Sequence, residues 1–380
     1  MHRRKYCSLF LVLNILIIAL SASCTKDKSI DGALFKIGQL VYTIDGFDKS
    51  ALGMNRKAIV EAAGGEIISV PVERSPQSMI SGVRNLIAQG CDGIIITPVS
   101  NSILPQVYNM CEEAAVYWII SMRPVQDLDT KQLLESSAYY VGSVSENDES
   151  AAYDIIKHLA ENGVKRIATF SISKFDAVVE ARELGLRRAA EAYDIEIVEE
   201  IRNISSCDAM TKAAGALLEV YPDLDAIFSV ATSIPGGAIS VLDVLSQNNQ
   251  VRQVKFTSID MNIQMAQYFD EGIIPIVAGG HGALDAVVAT SLLVNAVTGY
   301  PVSENEKVSL TIRYYMLQNS EDVRRICAYD NAPLFSEEDI QNQLLKKNRP
   351  TLSLVDYQEI IDLYLSGKLP LPTETRNPFQ

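Results

Sequence analysis

Short apolar runs alternate along this chain with longer stretches in which apolar positions return every three or four residues. The runs that read as strands fall at 35–42, 66–72, 93–97, 117–122, 139–141, 166–171, 196–201, 226–230, 254–260 and 273–278. Several are apolar throughout, as in Ile94-Ile95-Ile96, the pattern of a strand covered on both faces of a parallel sheet. Helical periodicity between them predicts helices at 50–63, 77–89, 146–161, 177–192, 208–220, 236–245 and 283–297. Their ends carry the expected punctuation: Gly64-Gly65 stops the first, Pro76 opens the second, and Gly90 follows its last turn. Such alternation over this length specifies an α/β fold with parallel sheets. Ten strands before residue 280 are too many for one eightfold barrel. A polar, aperiodic break at 124–138, holding Pro124, Asp127, Asp129 and Lys131, suits a hinge between two doubly wound lobes instead. Beyond residue 302 the pattern changes, with a strand at 308–317, helices at 336–345 and 354–365, and a Pro-rich polar tail from 369 to 380.

The first 24 residues do not belong to this pattern. His2, Arg3, Arg4 and Lys5 precede an apolar run at 9–20, then Ser21, Ala22 and Ser23, and then Cys24. Basic start, apolar run and small residues are the layout of a secretory signal peptide, and the run is shorter than the ~20 residues of a membrane-spanning helix. Cys24, directly after the small residues, is similar to the lipidated cysteine of a bacterial lipoprotein, although Ser21 stands where such sites usually carry leucine. The expectation is export, loss of 1–23, and a lipid anchor on Cys24 followed by a polar tether at 24–33. The formal net charge of −14 argues against nucleic acid or an anionic lipid surface as a partner. Cys91, Cys111, Cys207 and Cys327 are widely spaced with no C-x-x-C, and are read mostly as buried small apolar residues, one disulfide being compatible with an oxidising compartment. The histidines are His2, His158 and His281; no metal-ligand spacing, phosphate loop or nucleophile elbow is present, so no cofactor and no catalysis are expected.

Between residues 34 and 300 the chain resembles the periplasmic sugar-binding proteins of the ribose/galactose type, the substrate carriers of ABC importers. The resemblance rests on Phe47 after the first strand, Leu86-Ile87-Ala88-Gln89-Gly90-Cys91-Asp92-Gly93-Ile94-Ile95-Ile96-Thr97-Pro98, Ile119-Ile120-Ser121-Met122-Arg123, Tyr140-Val141-Gly142-Ser143, Arg182-Glu183-Leu184-Gly185, Tyr221-Pro222-Asp223-Leu224-Asp225-Ala226-Ile227-Phe228 and Ser258-Ile259-Asp260, in that order. It implies the type I periplasmic binding fold: two doubly wound lobes joined by three crossings, with a ligand held between them at the carboxyl ends of the strands. It also implies that Phe47 stacks on the ligand and that Arg123, Arg182 and Asp260 hold its hydroxyls. Other family positions have changed: Met122 replaces an aspartate, Thr97 stands where an amide is expected, Ala231-Thr232 replaces a polar pair, and Gly279 replaces a glutamine. Two arginines with fewer amides suggest a ligand that is partly apolar or carries an anionic group.

Each position also has a plainer reading. Phe47 could simply pack, Arg182 could be a solvated helix residue, and Asp260 could cap a helix. A charge at Arg123, ending a buried strand, needs a partner. Gly279-Gly280-His281-Gly282 is a glycine-rich loop between a strand and a helix, where backbone N–H groups could cradle an anion; the resemblance places a lobe crossing here, with His281 as a packed or capping residue or a ligand contact. The expected division is a first lobe at 34–125 plus 280–302, a second at 126–279 plus 303–318, and a C-terminal extension at 319–380. The function so implied is a monomeric, lipid-anchored binder of a sugar or sugar derivative at the outer face of the cytoplasmic membrane or in the periplasm, delivering to an ABC permease. A sensor lipoprotein of the same fold, signalling to a histidine kinase, is the alternative. An exported enzyme lacks a nucleophile–base pair, and a transcription-factor core is at odds with the export signal.

Overall fold

The computed structural model describes residues 34–42, 46–172, 176–204, 206–231, 236–248 and 253–369. The expected signal peptide, Cys24 with its tether, Thr232 and the tail after 369 lie outside the described residues. In chain order come β1 (Lys36–Val41), α1 (Ala51–Ala62), β2 (Glu66–Pro71), α2 (Pro76–Ala88), β3 (Gly93–Ile96), α3 (Leu104–Ala114), β4 (Tyr117–Ser121), α4 (Leu128–Glu135) and β5 (Tyr140–Glu146). Then follow α5 (Asp148–Glu161), β6 (Arg166–Ser171), α6 (Ala177–Tyr193), β7 (Glu196–Arg202), α7 (Cys207–Val220), β8 (Ala226–Ser229), α8 (Gly237–Asn248), β9 (Lys255–Ser258), α9 (Met265–Asp270) and β10 (Val277–Gly279). The last elements are α10 (His281–Val297), β11 (Val308–Ile312), β12 (Tyr315–Leu317), α11 (Ser320–Tyr329), α12 (Glu337–Asp339) with a π-helical turn at Ile340–Leu344, and α13 (Leu354–Leu365).

Parallel pairing builds a six-stranded sheet in the order β11-β5-β4-β3-β1-β2 and a four-stranded sheet in the order β7-β6-β8-β9. The apolar runs explain the layering. Ile94, Ile96, Trp118 and Ile120 turn to one face of the first sheet and pack on Val83, Leu86, Val107 and Leu134 of α2, α3 and α4. Ile37, Ile95 and Ile119 turn to the other, against Ile59 of α1 and Leu292 and Leu293 of α10. The second sheet is covered likewise, by α5 and α6 on one face and by α7 and α8 on the other. Each fully buried isoleucine or leucine contributes about 1.5–3 kcal/mol of transfer energy. Serine caps start several helices: Ser50, Ser75 and Ser206 accept from the backbone N–H of Gly53, Ser78 and Ala209 at 3.1, 3.2 and 3.2 Å.

The lobes meet at three crossings, β5 to α5 at 146–148, β10 to α10 at 279–281, and β11 to β12 at 312–315. The middle one falls at the glycine-rich loop, where the resemblance places it. The others correct the expected division. Residues 126–146 stay in the first lobe, because the polar break holds a helix, α4, which Asp127 caps through Thr130 N at 2.7 Å and which buries Leu134. β5 then pairs with β4 and β11. The segment 308–317, expected as one strand, is two: β11 in the first sheet and β12 antiparallel to β10 in the second lobe. α4 escapes the periodicity because it is short and its Leu128 is exposed, leaving only a weak apolar stripe. Cys91, Cys111 and Cys327 are buried, and burial pushes each thiol up to about 12.

Candidate ligand-binding cleft

Three of the sequence-selected residues converge at the crossings. His281 opens α10, Asp260 follows β9, and Arg182 projects from the second turn of α6. Between them lie three residues the sequence reading missed: Glu146 at the end of β5, Asp148 at the start of α5, and Tyr314 in the third crossing. Arg182 is buried, and its Nε donates to Asp148 Oδ1 at 2.7 Å, its Nη1 to the Val230 carbonyl at 3.0 Å, and its Nη2 to the Tyr314 hydroxyl at 3.0 Å. The same hydroxyl donates to Asp148 Oδ1 at 2.7 Å and stands 3.3 Å from Glu146 Oε2. Asp260 Oδ2 lies 3.8 Å from Arg182, with its side chain 58 % exposed towards solvent. His281 Nε2 stands 3.5 Å from Glu146 Oε1 and 3.8 Å from Asp260 Oδ1, and its ring packs on Tyr314 at a centroid distance of 4.3 Å.

Burial sets the charges. It would pull the Arg182 guanidinium down, but Tyr314, Asp260 and Asp148 outweigh it and raise it, so Arg182 is a permanent cation tied to Asp148. Glu146 is pushed well above the usual carboxylate range by burial and then by the neighbouring Asp285 and Asp148. His281 is pushed down, mainly by burial, and is neutral at physiological pH. Glu146 Oε1 and His281 Nδ1 are both buried without a hydrogen-bond partner among the described residues, an arrangement that costs about 1–3 kcal/mol per group.

Arg123 enters from the first lobe, half-buried, with Nη1 donating to the Met122 carbonyl at 2.7 Å. Its approach is braced from beneath. Met122 holds a left-handed φ of 64°, its N–H donates to Asp285 Oδ2 at 2.9 Å, and Ser121 Oγ donates to the other Asp285 oxygen. Arg56 donates to Ser121 Oγ at 2.7 Å and to Gln39 Oε1 at 3.0 Å. Burial draws Arg56 down to about 10 and lifts Asp285 to about 6. Met122 therefore turns the backbone, anchored on Asp285, at the position where the resemblance implies an aspartate.

The remaining candidates separate. Phe47 is half-buried in a 3-10 turn ahead of α1, and its carbonyl accepts from the Ser50 N–H at 2.9 Å. Thr97 follows β3, and its carbonyl accepts from the Tyr42 hydroxyl at 2.9 Å. A Cβ on Gly279 would meet the Met261 side chain at 2.9 Å, so close packing accounts for that glycine. Asp260 caps no helix, since α9 begins at Met265; its own φ is 77° and its N–H donates to the Ala278 carbonyl at 2.8 Å.

A cavity of about 770 Å³ runs between the lobes over this floor, with Asn101, Arg123 and Gln126 on one side, Val178 and Ala181 on the other, and Glu146 and Asp148 beneath. At its mouth Arg74 Nη1 of the first lobe stands 3.6 Å from Asp176 Oδ2 of the second, and the Arg74 guanidinium lies 4.3 Å over the Tyr42 ring. The lobes touch through this ion pair. A second hollow of about 830 Å³ lies against β11 and residues 301–307, with neither arginine nor histidine in its walls.

A profile described as periplasmic binding protein domain matches residues 42–300. The chain belongs to that family. No curated protein matches it in sequence. Among solved structures it is similar to an ABC transporter solute-binding protein from Bacillus halodurans with bound myo-inositol, at 18 % identity and a TM-score of 0.61, covering 79 % of this chain and 100 % of that one. It is also similar to a solute-binding protein from Actinobacillus succinogenes with bound D-allose, at 18 % and 0.61 over 76 % of this chain and 99 % of that one. A third is a periplasmic ribose ABC transporter protein from Conexibacter woesei, at 16 % and 0.60 over 79 % and 99 %. The type I architecture is thereby established, two doubly wound lobes with the family's cleft between them. The segment after β12 lies beyond the profile match.

Proposed function

We propose that this chain is an extracytoplasmic solute-binding protein that closes its two lobes on a neutral, hydroxyl-rich sugar or polyol and delivers it to an ABC importer. The observation that carries this reading is the charge balance of the cleft floor. Arg182 is tied to Asp148 with Asp260 beside it, so that it and Arg123, the other cation of the cleft, are matched by two carboxylates, while Glu146 tends to the neutral acid. Such a floor accepts from and donates to hydroxyls but offers no surplus positive charge to an anion. It therefore speaks against the anionic ligand that two arginines suggest when read from sequence. The protein is a binder rather than a catalyst, anchored outside the cytoplasmic membrane through Cys24 and monomeric in its working form.

A thermal-shift panel of sugars, polyols, sugar acids and sugar phosphates tests the reading. A neutral ligand at ~100 times its dissociation constant stabilises the fold by about 2.7 kcal/mol, and the acids and phosphates give no shift. A response confined to anionic compounds refutes the neutral-ligand reading. Silence across the panel, with a membrane kinase rather than a permease and ATPase encoded beside the gene, replaces the importer reading by the sensor one. Incorporation of labelled palmitate, lost in Cys24→Ser, tests the anchor, and globomycin, which blocks the cleavage that follows lipidation, leaves a longer labelled precursor.

A further inference from the structure

Three crossings make a hinge that can swing because little else joins the lobes. In this chain a fourth passage joins them. After β12 the chain lays α11 on the second lobe, where Arg324 pairs with Asp270 of α9 at 3.3 Å and Arg325 with Asp322 at 2.7 Å beside Tyr315 of β12. Within the next few residues it reaches the first lobe. The Leu334 N–H donates to Asn55 Oδ1 of α1 at 2.8 Å, and Gln341 Nε2 to the Ala62 carbonyl at 3.3 Å. Asn295, buried in α10, donates to the Leu344 carbonyl at 2.8 Å and accepts from the Lys346 N–H at 2.7 Å. Lys346 Nζ adds a bond to the Pro301 carbonyl at 2.7 Å.

The return leg closes on the hinge itself. α13 packs on α10 through Tyr357, Ile361 and Tyr364, all at or below 1 % exposure. The Tyr364 hydroxyl donates to the Gly280 carbonyl, in the middle crossing, at 2.6 Å. Its ring lies 5.1 Å from that of Tyr329 in α11, and the Tyr329 hydroxyl donates to the Leu369 carbonyl at 2.5 Å. Gly280 has a φ of 77°, and a Cβ there would meet Ile326 of α11 at 2.9 Å and the Tyr364 hydroxyl at 3.3 Å. The residue about which this crossing turns is thus covered by both legs of the appended segment.

We propose that residues 319–369 act as a strap that holds the lobes near their closed setting with or without ligand, so that solute enters and leaves by small movements at the cleft mouth rather than by a wide swing. The reasoning is mechanical. A rotation at Gly280 moves α9 and β12 relative to α1 and α10. The strap is bonded to both sets and joined by a passage only four residues beyond α11. A swing must therefore shear α11 from α13 or strip Tyr364 from the hinge. This inference concerns lobe motion and stands whether or not the ligand is a sugar.

The test is a distance measurement on the whole, ligand-free chain, with nitroxide-bearing unnatural residues at Gln106 on α3 and Lys212 on α7, both exposed. The expected result is one narrow distance distribution. Arg74→Ala, which removes the ion pair at the mouth, leaves it unchanged. Ile326→Ala combined with Tyr364→Phe adds a second, distinct distance. Two distances in the unmodified chain, a broadening by Arg74→Ala alone, or a strap variant that folds and is indistinguishable from the unmodified chain would each overturn the proposal. Where the strap variant does not fold, the first two measurements decide.

Discussion

Replacing Arg182 by alanine separates a structural arginine from a ligand-holding one. The side chain is 4 % exposed and makes three hydrogen bonds, to Asp148, Tyr314 and the Val230 carbonyl. Its removal leaves the Asp148 carboxylate, itself 4 % exposed, without its cation in a site of low polarity. Breaking a buried pair in this way costs about 3–5 kcal/mol, or roughly two to four decades in the unfolding equilibrium. With a urea m-value of ~3 kcal/mol/M the midpoint falls by roughly 1 M or more. Arg182 and Asp148 both sit on helices of the second lobe, so far-UV circular dichroism shows the loss before Trp118, in the first-lobe core, reports it. Adding Asp148→Asn removes the stranded charge, and the double variant is less destabilised than the sum of the two single ones. Arg123→Ala supplies the contrast: half-buried, with one hydrogen bond to a neighbouring carbonyl, it costs about 1 kcal/mol while abolishing the ligand-induced thermal shift. An Arg182→Ala protein with an unshifted urea midpoint and no ligand response would refute the argument and return Arg182 to the ligand.

Other outcomes follow from single residues. Burial holds Asp330 at about 6, above its unfolded value, so its contribution is full at pH 3–4 and is lost as pH rises through 6; Asp330→Asn therefore gains on the parent by about 2–3 kcal/mol between pH 4 and pH 8, read as diverging melting curves. Gly280→Ala forces a Cβ into a left-handed backbone against Ile326 and lowers stability by roughly 1–2 kcal/mol in urea titration. Trp118, the one tryptophan, is fully buried beside Tyr140, so its emission resists iodide quenching and does not respond to ligand. Glu146→Gln keeps the ligand-induced thermal shift and Glu146→Leu loses it, since a hydrogen-bonding group rather than a charge is needed there.

Much of the fold was legible because its signals are local. Continuous apolar runs such as Ile94-Ile95-Ile96, short and β-branched, suit strands buried on both faces, and the proline start and glycine stops placed the first long helices to within a few residues. Where amphipathicity is faint, the reading failed. α4, with its exposed Leu128, passed for a hinge; α11 was not anticipated, and the two strands about Tyr314 read as one. Strand periodicity does not reveal that a chain changes sheets between one residue and the next, because both halves alternate alike.

The site divides the same way. Sequence alone determined the alternation of strand and helix, the acidic charge, the glycine-rich loop before His281, and the placement of Arg123 and Asp260 after strands and of Arg182 early in a helix, because each depends on residue type and spacing. Only the tertiary structure decided what those residues face. It set Arg182 against Asp148 and Tyr314, which lie 34 residues before it and 132 after it in the chain. It made Met122 a backbone pivot over Asp285, brought Glu146 and His281 together from separate crossings, and laid the C-terminal segment across both lobes. Partnership among buried charges depends on which groups share a region of low dielectric, and that is a property of packing rather than of sequence order.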